Sequence, residues 1–168
     1  MGEPVGKDLY ERDFYAWTQD QAARLRSLAG DNRFDVDNVA GEIEDLGASA
    51  LGAVQSHVEN VFVHLLKLTY SPATDSRPHW IDEAFRYQSE IVNQYTASMR
   101  QKIDLDRIWR KAVRRAHVSL ISHGEAGIED VPPNPFTLEH ILADDFDPNV
   151  AEQTLRSALD RPLPRADE

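Results

Sequence analysis

The sequence contains no cysteine among its 168 residues. That excludes disulfides, thiolate metal sites and a cysteine nucleophile. It has no apolar run near the ~18 residues that a membrane-spanning helix needs. Positive charge is scarce: 18 Lys and Arg stand against 29 Asp and Glu, a formal net charge of −11. Proteins bind phosphate backbones with cations that release counterions. The balance therefore opposes general nucleic-acid binding, although it leaves room for a local basic face. No phosphate-binding glycine loop, nucleophile elbow or zinc-protease motif is present, and no cofactor is implied. Strand alternation and 20–50-residue repeats are also missing. The opening MGEPVGKDLYERD lacks the basic-then-apolar layout of a secretory leader. The expectation is a cytoplasmic protein without membrane association.

What the sequence does have is helical period almost throughout. With 41% hydrophobic and 28% charged residues it suits one globular domain over 1–168. A first helix is predicted from Asp8, with Glu11 completing a capping box. Its stripe is Tyr10, Phe14, Trp17, Gln21, Leu25 and Leu28, and Gly30 is placed to end it. A second helix is predicted from about Asp35 to Tyr70 on a stripe that includes Ile43, Leu46, Val54, Val58, Val61, Leu65 and Leu68. Gly41, Gly47 and Gly52 weaken it by ~1 kcal/mol each relative to alanine. They mark either a kink or places where another helix comes close, so its continuity stays open. A third begins near Pro78, a favourable first-turn position, with Ala84, Phe85, Gln88, Ile91, Val92 and Met99 inward. A fourth begins at Asp104 or Asp106, buries Ile108, Trp109, Ala112, Val113, Ala116 and Leu120, and closes at Gly124 or Gly127.

The texture changes at VPPNP, residues 131–135, where proline removes backbone donors and clashes with a preceding turn. After it, Thr137 is a helix cap flanked by a Phe136–Ile141 hydrophobic staple. Asp147 and Pro148 start a last helix carrying Val150, Leu155, Ala158 and Leu159, and residues 160–168 form a frayed tail. The predicted fold is all-α: an antiparallel bundle of four main helices, with a proline-rich turn and a C-terminal helical appendage. The core spans about residues 8–148.

Four ordered stretches carry a family resemblance: LYERDFYAWTQDQAARLR (9–26), FDVDNVAGEIEDLG (34–47), HLLKLTYSP (64–72, with Trp80 and Ile81 following) and PPNPFTLEHILADDFDP (132–148). Together they resemble the bacterial family catalogued as domain of unknown function number twenty-nine. The resemblance covers about residues 8–148 and implies a helical fold and no reaction. It also implies recurrent polar positions at Asp13, Trp17, Asp37, Glu42, Glu44, His64, Lys67 and Trp80. Gly41 stands where the family usually has an acid, and Asn134 where a cysteine is common.

Three features bear on function. His64 sits among apolar residues and is the candidate metal ligand, with Glu83, Glu90, His117 and His79 as possible co-ligands from elsewhere. His57 is seven residues away, ~10 Å along a helix, and Glu42 is ~33 Å away, so neither shares an ion with it. The plainer reading is a hydrogen-bonded core histidine. The second feature is the acidic segment Glu42, Glu44 and Asp45, a carboxylate pocket or a solvated face at a helix N-terminus. The third is RIWRKAVRRAH, where Arg107, Arg110, Lys111, Arg114 and Arg115 recur at helical spacing. They are either paired with intramolecular carboxylates or free to dock an acidic partner or RNA, although no exposed aromatics interleave to favour nucleic acid. The aromatics Tyr10, Phe14, Trp17, Trp80, Phe85 and Trp109 have core-like spacing. The leading expectation is a small protein-interaction or regulatory module whose partner is another protein. The alternative is a metal-dependent enzyme centred on His64. Oligomeric state is not encoded in any motif.

Overall fold

A computed structural model describes residues 5–28 and 34–159, and every regular element in them is helical. Seven α-helices and one 3-10 helix are described. Gly30 and the tail at 160–168 lie outside the described residues. The chain groups into two compact units: Met1–Gln55 with Gln94–Ile103, and Ser56–Asn93 with Asp104–Glu168.

The first unit holds α1 (Val5–Arg12), α2 (Phe14–Ser27), the first part of α3 (Val36–Tyr70) and the 3-10 helix Ala97–Lys102. Where the sequence predicts one helix over residues 8–28, the chain forms two. Asp13 is the cause. Its carboxylate accepts from the Ala16 N–H at 3.0 Å as the α2 N-cap, and from the Ser98 N–H and hydroxyl at 3.0 and 2.6 Å. Aspartate competes for backbone donors at caps better than it supports a helix interior. The predicted Asp8–Glu11 box does not form, because α1 already starts at Val5 and Asp8 instead pairs with Arg12 at 2.7 Å.

Helix α3 is continuous over 35 residues, ~52 Å at 1.5 Å per residue. Asp35 caps it weakly, accepting from the Asn38 N–H at 3.3 Å. Of its glycines only Gly47 marks a close approach. A Cβ there would lie 3.1 Å from Thr18 Cβ and closer still to the Thr18 hydroxyl, whereas Gly41 and Gly52 have nothing within 4 Å. Leu46, placed by the sequence on the buried stripe, is 57% exposed. At 3.6 residues per turn it points about 100° away from Gly47 and about 80° away from Val54, which are buried.

The second unit holds the remainder of α3, then α4 (Arg77–Gln94), α5 (Leu105–Ser122), α6 (Leu138–Leu142) and α7 (Pro148–Leu159). Its centre is aromatic. Phe62 meets Trp109 edge-on at 5.1 Å and stacks on Phe136 at 5.8 Å. The Trp109 indole donates to the Pro132 carbonyl at 2.7 Å, which pins the proline-rich segment onto α5. Gln88 is buried and its amide donates to the Ile141 and Ala143 carbonyls at 3.1 and 3.2 Å, satisfying the end of α6.

Helix ends follow the predicted chemistry at several points. Asp104 caps α5 through the Arg107 N–H, and Asp147 caps α7 through the Asn149 N–H at 2.8 Å. Thr137 caps α6, with the His140 ring accepting in return from the Thr137 N–H at 3.1 Å. Gly124, at φ +77°, closes α5. The Gly124 N–H donates to Ile121 and the Glu125 N–H to Leu120, the paired bonds of a Schellman turn. Gly127 has a separate duty, since a Cβ there would meet the His117 ring. The third predicted stripe overruns: α4 ends at Gln94, extended backbone at Thr96 follows, and Met99 is buried from the 3-10 helix instead. Phe85, Val92 and Val150, predicted inward, are exposed.

Candidate functional site

A group of polar residues in the second unit gathers around the C-terminal turns of α3. His64 and Lys67 are one turn apart on that helix. Helix α4 brings His79, Trp80 and Glu83 from its first turns, and the end of α5 with its Schellman turn brings Ser119, His123 and Glu125. A cavity of about 280 Å³ is lined by Lys67, Ser76, His79, Trp80, Ser119, Leu120, His123 and Glu125. A groove of about 440 Å³, lined by Val63, Lys67, Arg114, Arg115, Val118 and Ser119, shares Lys67 and Ser119 with it.

His64 is not a fully satisfied core histidine. Its ring stacks on Tyr87 at 5.9 Å and meets His79 edge-on at 6.4 Å. Its Nδ1 is shut off from solvent with no hydrogen-bond partner among the described residues. Burial lowers its pKa to about 4; Lys67, His79 and Arg115 push the same way, and Glu83 opposes them. The imidazole is therefore neutral at physiological pH. His57 also rests on Tyr87, at 5.7 Å, so one tyrosine carries both rings. His117, a possible co-ligand by sequence, is engaged with the Ile128 backbone through Nδ1. Among the described residues no three His, Asp or Glu side chains gather to hold a metal ion.

Lys67 holds its ammonium over the Trp80 ring at 5.8 Å, within cation–π range. Burial and the Arg115 charge lower its pKa below the usual lysine value, while Glu125 acts in the opposite sense. One oxygen of Glu125, Oε2, is buried without a donor. The His123 Nδ1 lies 2.7 Å from the Ser119 carbonyl. A carbonyl only accepts, so Nδ1 carries a proton.

The basic stripe is fully exposed: Arg107, Arg110, Lys111, Arg114 and Arg115 all face solvent. Arg115 pairs with Glu59 at 2.8 Å. The other four have no ion pair among the described residues. Val118 and Ile121 continue the same face and are 59% and 53% exposed. The acidic segment divides differently. Glu44 is held by both ends of the Arg26 guanidinium, one contact measuring 2.9 Å, while Glu42 and Asp45 are exposed. The three carboxylates therefore do not converge on one point.

Residues 9–147 match the family model described as Domain of unknown function DUF29. The chain belongs to the DUF29 family. It is also similar to an alpha-helical protein of unknown function from Rhodospirillum rubrum, whose crystal structure was determined at 1.45 Å. The two share 31% identity with a TM-score of 0.79, over 86% of this chain and 95% of that one. No curated protein matches. Several DUF29 positions singled out by the resemblance have structural work in this chain. Asp13 builds the α1–α2 break, and Glu44 holds Arg26. Asn134 accepts from the Phe136 N–H at 3.0 Å within the proline-rich turn. Lys67 and Trp80 instead line the 280 Å³ cavity, with His64 beside it. Sequence reasoning missed Glu125, Ser119 and His123. The one available signal was the Gly124 stop, which marks where a chain reverses over the end of a helix.

Among the described residues no helix is long and apolar enough to cross a membrane.

Proposed function

We propose that the chain is a cytoplasmic protein-interaction module whose α5 face docks an acidic segment of another protein. One observation carries the reading. In a chain of net charge −11, four adjacent cations (Arg107, Arg110, Lys111 and Arg114) have no ion pair among the described residues. Intramolecular pairing would have neutralised them, and carboxylates are abundant enough to do so. Left unpaired, they produce a local positive field that steers an anionic partner. Val118 and Ile121 at the end of the face supply apolar contact area, and the Lys67–Arg114–Arg115 groove is a seat for one acidic side chain. The overall charge and the lack of exposed aromatics on this face favour a protein over nucleic acid.

The test compares the chain with an Arg110→Glu/Arg114→Glu variant. Both are crosslinked to partners in the native host and mapped by mass spectrometry. The reading expects an acidic partner segment crosslinked to α5. It expects the double reversal to weaken that complex by about tenfold or more, mainly through association rate and most at low salt. A variant that keeps every partner refutes it, as do crosslinks confined to other surfaces.

A further inference from the structure

The 280 Å³ cavity carries an inference separate from the docking face. Its size is at the lower end for small-molecule sites, which suits a ligand smaller than a nucleotide. Lys67 and Glu125 line it with opposite charges, and neither has an ion pair among the described residues. Both are partly withdrawn from water: the ammonium lies against Trp80, and Glu125 Oε2 is buried without a donor. Withdrawn charges of opposite sign that line one cavity without forming an ion pair are under-compensated. An anion alone would be repelled by Glu125, and a cation alone by Lys67. A ligand with both charges satisfies both. Ser119 and His123 add hydrogen-bonding groups to the same lining.

We propose that this cavity binds a small zwitterion, a free α-amino acid, with its carboxylate on Lys67 and its ammonium on Glu125. Trp80 fixes the position of the lysine head and is not the seat of the ligand's ammonium, since that ring face is occupied.

The experiment titrates the full chain with each of the common L-amino acids by calorimetry and thermal shift. The best binder is then compared with its methyl ester, which lacks the carboxylate, and its deaminated acid, which lacks the ammonium. Each analogue should bind about tenfold more weakly or worse, in keeping with the loss of a charge-assisted contact. Lys67→Met should bind the amino acid no better than the ester. Glu125→Gln should bind it no better than the deaminated acid. Circular dichroism confirms that both variants fold. The proposal is overturned if no amino acid binds the folded chain, or if binding survives unchanged in both variants. Lys67 also borders the α5 groove, but Glu125 does not. Loss of amino-acid binding in Glu125→Gln with partner docking intact therefore separates this site from the docking reading.

Discussion

His64 should make the fold sensitive to acid before most carboxylates do. Its folded-state pKa is lowered from 6.5 to about 4 by burial. Above pH 6.5 the imidazole is neutral in folded and unfolded chains alike, and it contributes no pH dependence. As pH falls from 6.5 towards 4, the unfolded chain takes up the proton and the folded chain does not, so stability is lost across that window. The gap corresponds to roughly 3 kcal/mol at about 1.36 kcal/mol per pH unit. The ring is partly open to solvent, so screening reduces this to about 2 kcal/mol. Paired carboxylates such as Glu152 also lose stability in acid. The measurement is therefore a difference: urea unfolding of wild type and His64→Phe, followed by circular dichroism from pH 7.5 to 4.5. Phenylalanine keeps a ring on Tyr87 and removes both the titration and the unpartnered Nδ1. At pH 7.5 the variant should match wild type or exceed it, because an apolar replacement of an unsatisfied buried group is neutral or stabilising. By pH 4.5 it should be ahead by about 2 kcal/mol more than at pH 7.5. If the two proteins lose stability in parallel, the imidazole is not held neutral by burial and the reasoning fails.

Two further perturbations test the packing. Gly47→Ala should destabilise by about 1–3 kcal/mol, because its Cβ meets the buried Thr18 side chain, whose hydroxyl would have to give up the bond it donates to the Tyr15 carbonyl at 2.8 Å. Gly41→Ala and Gly52→Ala, in open space on the same helix, should each stabilise by up to about 1 kcal/mol; chemical denaturation of the three variants checks the contrast. Glu152 is buried and receives Arg77 at 2.5 Å and Arg156 at 2.8 Å, while both guanidiniums also donate to the Leu68 carbonyl at the end of α3. Glu152→Gln should cost about 2 kcal/mol at neutral pH, reduced from the value for a fully buried pair because both arginines are partly exposed; equal thermal stability of variant and wild type would contradict it.

The sequence made the helices legible where side-chain chemistry is local. Asp104, Thr137, Asp147 and Gly124 act within a turn of their own position, and each sits where its residue type predicts. The apolar period of α3 was legible, but its continuity across three glycines was not, because a kink at any of them leaves the same period; the structure shows one unbroken helix. What failed depended on distant partners. Asp13 breaks the first helix partly because Ser98, 85 residues away, shares its carboxylate. Met99 follows the helical spacing of α4 yet is buried from a 3-10 segment. The same limit governed the site. His64 was conspicuous by its apolar setting, but its unpartnered nitrogen, the stack on Tyr87 and the edge contact with His79 are tertiary facts. Glu125 has no sequence motif at all.

Charge shows most clearly why function was harder to read than fold. A net charge of −11 describes the field far from the molecule, where all charges merge. Recognition occurs within about a Debye length, ~8–10 Å, where pairing decides what remains visible. Arg12, Arg24, Arg26, Arg77, Arg86, Arg115 and Arg156 each hold a carboxylate. Their charges are largely cancelled at close range. Arg107, Arg110, Lys111 and Arg114 hold none among the described residues and lie on one helix face, so an acidic chain presents a cationic surface there. The separation has a measurable consequence. Neutralising Arg24 or Arg86 should leave partner binding unchanged, whereas neutralising Arg110 or Arg114 should weaken it in a salt-dependent way. Equal effects from both sets would mean that only the average field matters and that pairing does not select the surface.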